Sequence, residues 1–385
     1  MEINRSVQRA HRRRLWGRRL PKLLILGACI GFLGNSVLDY LANLPRERFA
    51  KGYKFLERVW LGTETVARMS ALKLAAHHAD FKNTKLPVAE IYIRGARYDK
   101  LVEALPNTDV SPEKADLQFG GRSFKGKVRF KGDSINHWAY PSRSWRVELK
   151  DTKSYRGMRT FNLNVPRVNT QISNWLGYRI AKEFDGLLVP YAENYQFRLN
   201  RQFDGIRLLL EQPNQEFLTQ RFLPPGKIFV GDISTDQIYG NTPRKYLYSD
   251  VTGWEVRAPA NDIGNRELSA LLNTLQNDAN PYEFYESIRS IVDVRALTNY
   301  MALLELVGTV HVDETHNGKL YFNPHTGRFS PIVWDTVAYM WGNRQGLDLA
   351  TNRLFRVVLS NPQLRFMKDQ ALWKALTGGA STEKL

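Results

Sequence analysis

One stretch of the chain carries the residue types that phosphoryl transfer requires. It includes Asp313 and Asn317 and, after a short turn, Pro331-Ile332-Val333-Trp334-Asp335. Phosphoryl transfer needs a carboxylate near the acceptor hydroxyl and oxygen ligands that hold Mg²⁺ against the donor phosphates. An Asp-x-x-x-Asn loop that leads into a hairpin ending in Asp supplies both. We therefore predict that Asp313 is the base or acceptor-orienting group, with Asn317 and Asp335 as metal ligands.

Other interpretations of this stretch remain open. Asp and Asn are common turn residues, and an Asp at the end of a strand often caps a following helix. His311, Glu314 and His316 are a second candidate, because a His/Glu set can form a metal cluster. Their spacing matches no H-E-x-x-H-like motif, which favours a solvated loop over a metal site.

The elements around these residues indicate an α+β domain. Apolar residues with a period of two predict strands, and apolar residues three or four apart predict helices. Strands are expected at 88–93, 123–131 and 145–149, and helices at 172–184, 266–275 and 294–306 and over most of 347–376. Hairpins are expected at 195–211, with a polar loop through Asn200, Asp204 and Gly205, and at 319–333, with a turn at 323–327. A strand-rich first half and a helix-rich second half predict a two-lobed fold.

The N-terminal region predicts a membrane anchor. Residues 1–22 contain eight of the cations and one acid, and an uncharged apolar run follows at 23–34 and continues more weakly to 38. We expect a basic cytoplasmic N-terminus at 1–22, a transmembrane signal anchor at 23–41, a helical stalk at 42–84 and a folded domain at 85–385. This arrangement predicts a single-pass inner-membrane protein whose main domain is extracytoplasmic, in the periplasm or at the cell surface. A cleavable signal peptide and a buried helix of a soluble protein are the alternatives.

Charge and cysteine content exclude several classes of function. The net charge is +17, but after the N-terminal cluster the excess is spread among acids, so no nucleic-acid partner is expected. The only cysteine is Cys29, within the apolar run, which excludes a disulfide or a Cys-based metal site in the folded domain. Lys125, Lys127, Arg129 and Lys131 alternate along one predicted strand, as either an anion-binding stripe or a solvated face.

Several motifs in a fixed order resemble those of the CotH kinase family, the spore-coat-type atypical protein kinases. The match runs from about residue 120 to about residue 370, and the order of its motifs makes it more specific than any one motif. The segments that carry it are 128–134, 141–147, Phe161-Asn162-Leu163-Asn164, 205–211, Phe217-Leu218, 313–321, Trp334-Asp335 and 354–366.

The resemblance implies an atypical kinase-like phosphotransferase that uses ATP and Mg²⁺ to modify a protein or glycan hydroxyl at the cell envelope. Asp313 and Asp335 match the family's catalytic and metal-binding aspartates. Lys131, Arg143 and Glu211 fall near its nucleotide-contacting part, although Arg143 and Glu211 also fit a mutual surface ion pair.

Two positions depart from the family pattern. One is Asp133, an anion in the glycine-serine turn where phosphates would approach. The other is Val337. The family's Trp-Asp-x-Asp is Trp334-Asp335-Thr336-Val337 in this chain, so the second carboxylate is missing. Loss of one carboxylate weakens a Mg²⁺ site or shifts the ligand role to Asn317 and water. The alternative function is therefore a catalytically inactive pseudo-kinase scaffold or adhesion module in envelope or surface-polymer assembly.

Overall fold

The structure, a computed structural model, describes residues 84–105, 107–132, 135–138, 142–150, 153–166, 172–233, 246–259, 264–276, 280–337 and 348–380. All of these residues belong to one unit of the chain, Thr65–Leu385. In these ranges, no helix has both the length and the apolar character needed to cross a membrane. The predicted basic N-terminus, the signal anchor at 23–41 and the stalk, except for Thr84, lie outside the described residues.

Strands with one buried and one exposed face form a closed β-barrel in the first half of the described chain. In β3, for example, Phe124 and Val128 are buried, whereas Lys125 and Lys127 are exposed. The strands are β1 (Val88–Tyr92), β2 (Glu113–Phe119), β3 (Arg122–Phe130), β4 (Trp145–Leu149), β5 (Thr160–Asn164), β6 (Ala192–Leu199) and β7 (Gln202–Glu211). Their order is β1-β2-β3-β4-β5-β7-β6, and the parallel pairing of β1 with β6 closes the barrel.

A second sheet and most of the helices lie outside the barrel. The sheet has the order β11-β10-β8-β9 and contains β8 (Lys227–Gly231), β9 (Trp254–Ala258), β10 (Gly318–Asn323) and β11 (Arg328–Pro331). The helices are α1 (Gly95–Glu103), α2 (Ile135–Trp138), α3 (Ser173–Ala181), α4 (Gln215–Gln220), α5 (Arg266–Gln276), α6 (Pro281–Ile291), α7 (Val294–Val307), α8 (Arg353–Ser360) and α9 (Pro362–Thr377). The apolar faces of α3 and of α5 to α9 share a large core with residues of β8 to β11. This core is separate from the aromatic core of the barrel, to which Leu101 of α1 belongs.

The central helix α7 begins and ends at well-defined positions. The Asp293 side chain accepts a hydrogen bond from the backbone N–H of Ala296, which caps the first turn. The helix ends at Gly308, whose φ of 67° is a left-handed conformation that glycine adopts at little cost. The loop at 309–317, which carries most of the predicted catalytic stretch, therefore starts from a fixed point.

The structure confirms the mixed α+β fold and several predicted elements. Trp145–Leu149 is a strand, 266–276 and 294–307 are helices, and β10 and β11 form the second hairpin. The polar loop predicted at 200–205 is wrong, because β6 and β7 are joined by the two-residue turn Asn200-Arg201. Both turn residues have positive φ, 51° and 71°, which matches the twist of a tight hairpin. Asp204 and Gly205 consequently lie within β7.

A buried lysine links α9 to α7 and to the segment that precedes α8. The Lys368 side chain is 1% exposed, and its Nζ lies 2.9 Å from Glu305 Oε2 and 2.7 Å from Asp348 Oδ1. Burial raises the pKa of Asp348, but the hydrogen bond and charge of Lys368 lower it, and the net pKa is below its ordinary value. The pairing therefore stabilises the fold above the unfolded-state pKa of an aspartate and is lost as pH falls through the lowered pKa.

We expect Lys368→Met to lower the free energy of unfolding by about 3–5 kcal/mol at neutral pH, because it leaves the buried Glu305 carboxylate without a cation. The penalty should shrink as pH falls through the lowered pKa of Asp348, because its pairing with Lys368 then no longer stabilises the wild-type protein. Urea denaturation at several pH values measures both effects. Lys374→Met on the same helix is the control, since the Lys374–Asp185 pair is exposed and screened by solvent. Equal losses in the two variants would contradict the prediction.

Candidate functional site

The β10–β11 hairpin brings two of the predicted site residues together. Its antiparallel register pairs Leu320 with Pro331, so Asn317 at the entry of β10 faces the chain that leaves β11. The Asn317 Nδ2 atom donates a hydrogen bond of 3.1 Å to Asp335 Oδ2. The two predicted metal ligands, 18 residues apart in sequence, are therefore in direct contact.

Both residues have left-handed backbone conformations. The φ angle is 63° at Asn317 and 48° at Asp335, a region that L-residues rarely adopt outside Asn and Asp. Asp232 Oδ1 accepts a 2.8 Å hydrogen bond from Asn317 N, and Tyr178 Oη accepts a 3.2 Å hydrogen bond from Asp335 N. Strained backbone that neighbouring groups hold in this way is typical of functional sites.

His311 completes the contact between these residues. Its Nδ1 is hydrogen-bonded to Asp335 Oδ2, and its carbonyl oxygen accepts a 2.9 Å hydrogen bond from Asn317 Nδ2. The His311 side chain is 32% exposed, whereas that of Asp335 is 11% exposed. The Asp335 carboxylate is thus largely enclosed, with the imidazole at its solvent side.

A buried ion pair that the sequence did not indicate lies beside this pair. Lys319 follows Asn317 in β10, and its Nζ lies 3.2 Å from Asp232 Oδ2 at the end of β8. The Lys319 side chain is 3% exposed, and burial together with the charge of Arg257 lowers its pKa despite the opposing effect of Asp232. Loss of hydration raises the pKa of Asp232, but the Lys319 charge and the Asn317 N–H lower it overall. The sequence signal that could have identified Asp232 is its position directly after the apolar strand β8.

Asp313 lies in the same loop as His311 and Asn317, and its side chain forms hydrogen bonds within that loop. Its Oδ1 accepts hydrogen bonds from Thr315 N at 2.7 Å, Thr315 Oγ1 at 2.9 Å and His316 N at 2.9 Å. Burial raises the pKa of Asp313, but the His316 and Thr315 hydrogen bonds lower it, and the net shift is downward. Within the described part of the chain no hydrogen bond joins Asp313 to Asn317 or Asp335. Its Oδ2 accepts none there either.

The alternative metal cluster of His311, Glu314 and His316 does not assemble. Glu314 is paired with Arg356, and His316 Nδ1 lies 3.4 Å from Asp313 Oδ1. The rings of His311 and His316 are stacked with their centroids 6.0 Å apart, rather than converging on one point. Across the described residues, no group of three His, Cys, Asp or Glu side chains is arranged to hold a metal ion.

Of the three residues predicted near the nucleotide, Glu211 is the last residue of β7, and Lys131 and Arg143 lie between β3 and β4. Each has a different contact. The backbone N–H of Lys131 donates to Ser144 O at the end of β3. The Arg143 guanidinium lies over the Phe130 ring, with its carbon 5.0 Å from the ring centroid. Glu211 is 2% exposed and pairs with Arg221 at 2.7 Å. The alternative of an Arg143–Glu211 ion pair is therefore wrong.

A polar cluster missed by the sequence interpretation lies at the junction of β4, β5 and β7. Arg146 Nε donates to Asn162 Oδ1 at 3.1 Å, and Arg146 Nη2 donates to Gln212 Oε1 at 2.9 Å. These bonds leave Asn162 Nδ2 and Gln212 Nε2 buried without an acceptor among the described residues. Burial, then the charges of Arg257 and Arg129, lower the pKa of Arg146 to about 10.

Arg257 connects this cluster to the hairpin site. Its charge lowers the pKa of Arg146 in the barrel and that of Lys319 in β10. Buried donors without acceptors, next to several cations, indicate a site that is complementary to an anion.

The segment after Asp335 packs against α3. Thr336 Oγ1 donates a 2.8 Å hydrogen bond to the Asn174 carbonyl. A Cβ atom at Gly177 would lie 2.4 Å from Thr336 Cβ, so only glycine permits this approach. Val337, which replaces the family's second carboxylate, is 2% exposed. A buried apolar side chain therefore occupies the position at which the family pattern has a carboxylate.

Comparison with known proteins gives two findings. Residues 128–377 match the family model described as CotH kinase protein. The chain is also 24% identical over 265 residues to the Inner spore coat protein H of Bacillus subtilis (strain 168), an alignment that covers 67% of this chain and 70% of that protein.

We expect Asn317→Ala to destabilise the protein by about 1 kcal/mol more than Asn317→Gly, although both remove the same side-chain hydrogen bonds. The difference follows from the positive φ at this position, and chemical denaturation of the two variants measures it.

Asn273 in α5 provides the control. It is exposed in a helix, where Ala is favoured over Gly by about 1 kcal/mol, so the order of the two substitutions should be reversed there. The same order at both positions would contradict the left-handed geometry at Asn317.

Proposed function

Because the chain belongs to the CotH kinase protein family, we propose that it is a phosphotransferase that uses ATP and Mg²⁺ to modify a hydroxyl of a protein or glycan. The observation that carries this proposal is the contact between Asn317 and Asp335 at left-handed backbone positions. The proposal includes the signal anchor predicted at 23–41, which would hold the domain at the cell envelope. The similarity to a protein named for the spore coat supports an acceptor in a surface layer.

The donor set at the hairpin fits Mg²⁺. This ion prefers oxygen ligands, keeps several waters and is held by one or two carboxylates together with substrate phosphates. The Asp335 carboxylate and the amide oxygen of Asn317 would be its protein ligands, once the Asn317 amide turns its oxygen toward the ion. A protein cluster of three acidic or imidazole ligands is not needed for this kind of binding. When bound, Mg²⁺ would neutralise charge on the donor phosphates.

The polar cluster in the barrel fits an anionic donor. Arg146 and the unsatisfied amide groups of Asn162 and Gln212 together offer N–H donors in a largely buried place. Guanidinium and amide donors suit phosphate oxygens, and their interaction is stronger where water is excluded. Lys319, with Asp232 holding its ammonium, would supply a second fixed cation. Lys131, Arg143 and Glu211 stay predicted contacts of the nucleotide.

The 309–317 loop would position the acceptor. The hydrogen bonds to Asp313 Oδ1 hold this carboxylate in a fixed orientation and keep its pKa low. The remaining oxygen, Oδ2, would accept the hydrogen bond of the acceptor hydroxyl, as the resemblance to the family implies. His311 would limit the access of water to Asp335, because its imidazole lies on the exposed side of that carboxylate.

A second candidate function is an inactive kinase-like scaffold. The observation that favours it is the buried side chain of Val337 where the family has a carboxylate. One carboxylate and one amide hold a divalent cation less tightly than two carboxylates do. Catalysis and nucleotide binding therefore need separate experiments.

We expect the purified protein to transfer labelled phosphate from ATP in the presence of Mg²⁺, to itself or to envelope fractions. Asp335→Ala should lower the rate about a hundredfold or more, because it removes the charged ligand of the cation. Asp99→Asn on the exposed face of α1 is the control and should leave the rate unchanged. Wild-type protein that transfers no more label than Asp335→Ala would exclude the phosphotransferase.

Ligand-induced stabilisation separates an enzyme from a scaffold that binds no nucleotide. Mg²⁺-ATP at about 100 times its Kd should add about 2.7 kcal/mol to the wild-type free energy of unfolding. Arg146→Met should lose most of this increment, whereas Arg159→Met, at an exposed position, should retain it. The increment is compared within each variant, so any change in intrinsic stability cancels. Absence of an increment in the wild-type protein would favour the scaffold.

A further inference from the structure

A basic groove lies on the outer face of the barrel, away from the hairpin. Its volume is about 670 Å³, and it is lined by strands β1 to β4 and the start of α1. A second depression of about 790 Å³ adjoins it and shares Tyr92, Asp116, Lys125 and Lys150 with it. The cations that line the first groove are Arg94, Arg97, Lys114, Lys125, Lys127 and Lys150.

The groove contains an unfavourable pair of like charges. The register of β2 and β3 places Lys114 directly opposite Lys127, and both side chains are exposed. Like charges directly opposite each other on neighbouring strands destabilise a sheet. Within the described part of the chain, neither lysine forms an ion pair. An anion bound between them would remove the repulsion.

The acids in the groove neutralise only part of this charge. Asp116 pairs with Lys125 at 2.5 Å, and Glu148 lies opposite Lys127 on β4. Arg94 has no acidic partner within the described residues. The remaining excess of cations lines this one groove, rather than being scattered over the surface.

The shape and spacing of the groove favour an extended acidic polypeptide. Lys125 and Lys127 are two residues apart on one strand, about 6.8 Å, which is the spacing of alternate side chains in an extended chain. Among the described lining residues only Tyr92 is aromatic, which offers little stacking for nucleic-acid bases. The barrel is closed, so the contacts would be made by side chains rather than by strand addition.

We propose that this groove is a docking site for an extended, Asp- and Glu-rich segment of a partner protein, bound chiefly by Lys114 and Lys127. The site is separate from the hairpin, and its binding does not depend on the proposed phosphoryl transfer.

The test is the binding of a fluorescein-labelled oligoglutamate peptide to the full-length protein, followed by fluorescence anisotropy. We expect binding that weakens as salt rises, and a loss of about tenfold or more in the Lys114→Glu, Lys127→Glu double variant. The single variant Lys114→Glu should also bind more weakly but have an equal or higher thermal midpoint. It replaces a like-charge pair by an opposite-charge pair, so weaker binding by this variant cannot result from unfolding.

The double variant Lys182→Glu, Arg328→Glu is the control for net charge, since both residues are exposed and lie outside the groove. It should bind the peptide as the wild type does. Equal losses in the two double variants, or no peptide binding by the wild type, would overturn the proposal. Tighter binding of oligothymidylate or of anionic phosphatidylglycerol vesicles, lost in the groove variant, would also overturn it by assigning the groove to another polyanion.

Discussion

The register of one β-hairpin determines the geometry of the whole candidate site. β10 and β11 pair so that the entry of one strand and the exit of the other lie side by side, and these two points carry Asn317 and Asp335. A shift of one residue in this register would turn the flanking side chains to the opposite face of the sheet. The four-residue turn at 324–327 and the pairing of β10 with β8 fix the register. The chemistry of the site therefore depends on strand pairing more than on any single contact in the loop.

The helices also restrict the geometry of the site. The chain that leaves β11 contacts α3, and the 309–317 loop contacts α8. Tyr178 and Gly177 of α3 hold the chain that leaves β11, through the hydrogen bond to Asp335 N and the close approach of Thr336. On the other side, Asn352 at the start of α8 donates a 3.1 Å hydrogen bond to the Val312 carbonyl. Left-handed backbone at two non-glycine residues costs about 1–3 kcal/mol each. The large apolar core that α3, α7 and α8 share is what keeps these conformations populated.

Features set by nearby residues could be predicted from the sequence, and those set by distant partners could not. The turn at 323–327 and the alternation in Trp145–Leu149 are local signals, so the hairpin and β4 were predicted correctly. The parallel pairing of β1 with β6 joins Val88 to Gln196, and no local pattern predicts it. Arg146 and Gln212 are 66 residues apart, and Lys319 and Asp232 are 87 apart. Strand β2 was missed because its outward positions carry charges that hide a short buried alternation.

The side chain at position 337 shows how packing and charge limit this site. Val337 is 2% exposed, so a carboxylate at this position would lose nearly all of its hydration, at a cost of several kcal/mol unless a cation compensated it. In this chain an apolar side chain occupies that position, and Asp335 would be the main anionic ligand of the proposed cation site. Two cations, Arg146 and Lys319, have lowered pKa values because both are buried near Arg257. An anionic ligand would relieve that repulsion and would add phosphate oxygens to a cation site that has few of its own. We therefore expect a divalent cation to bind together with the nucleotide rather than before it.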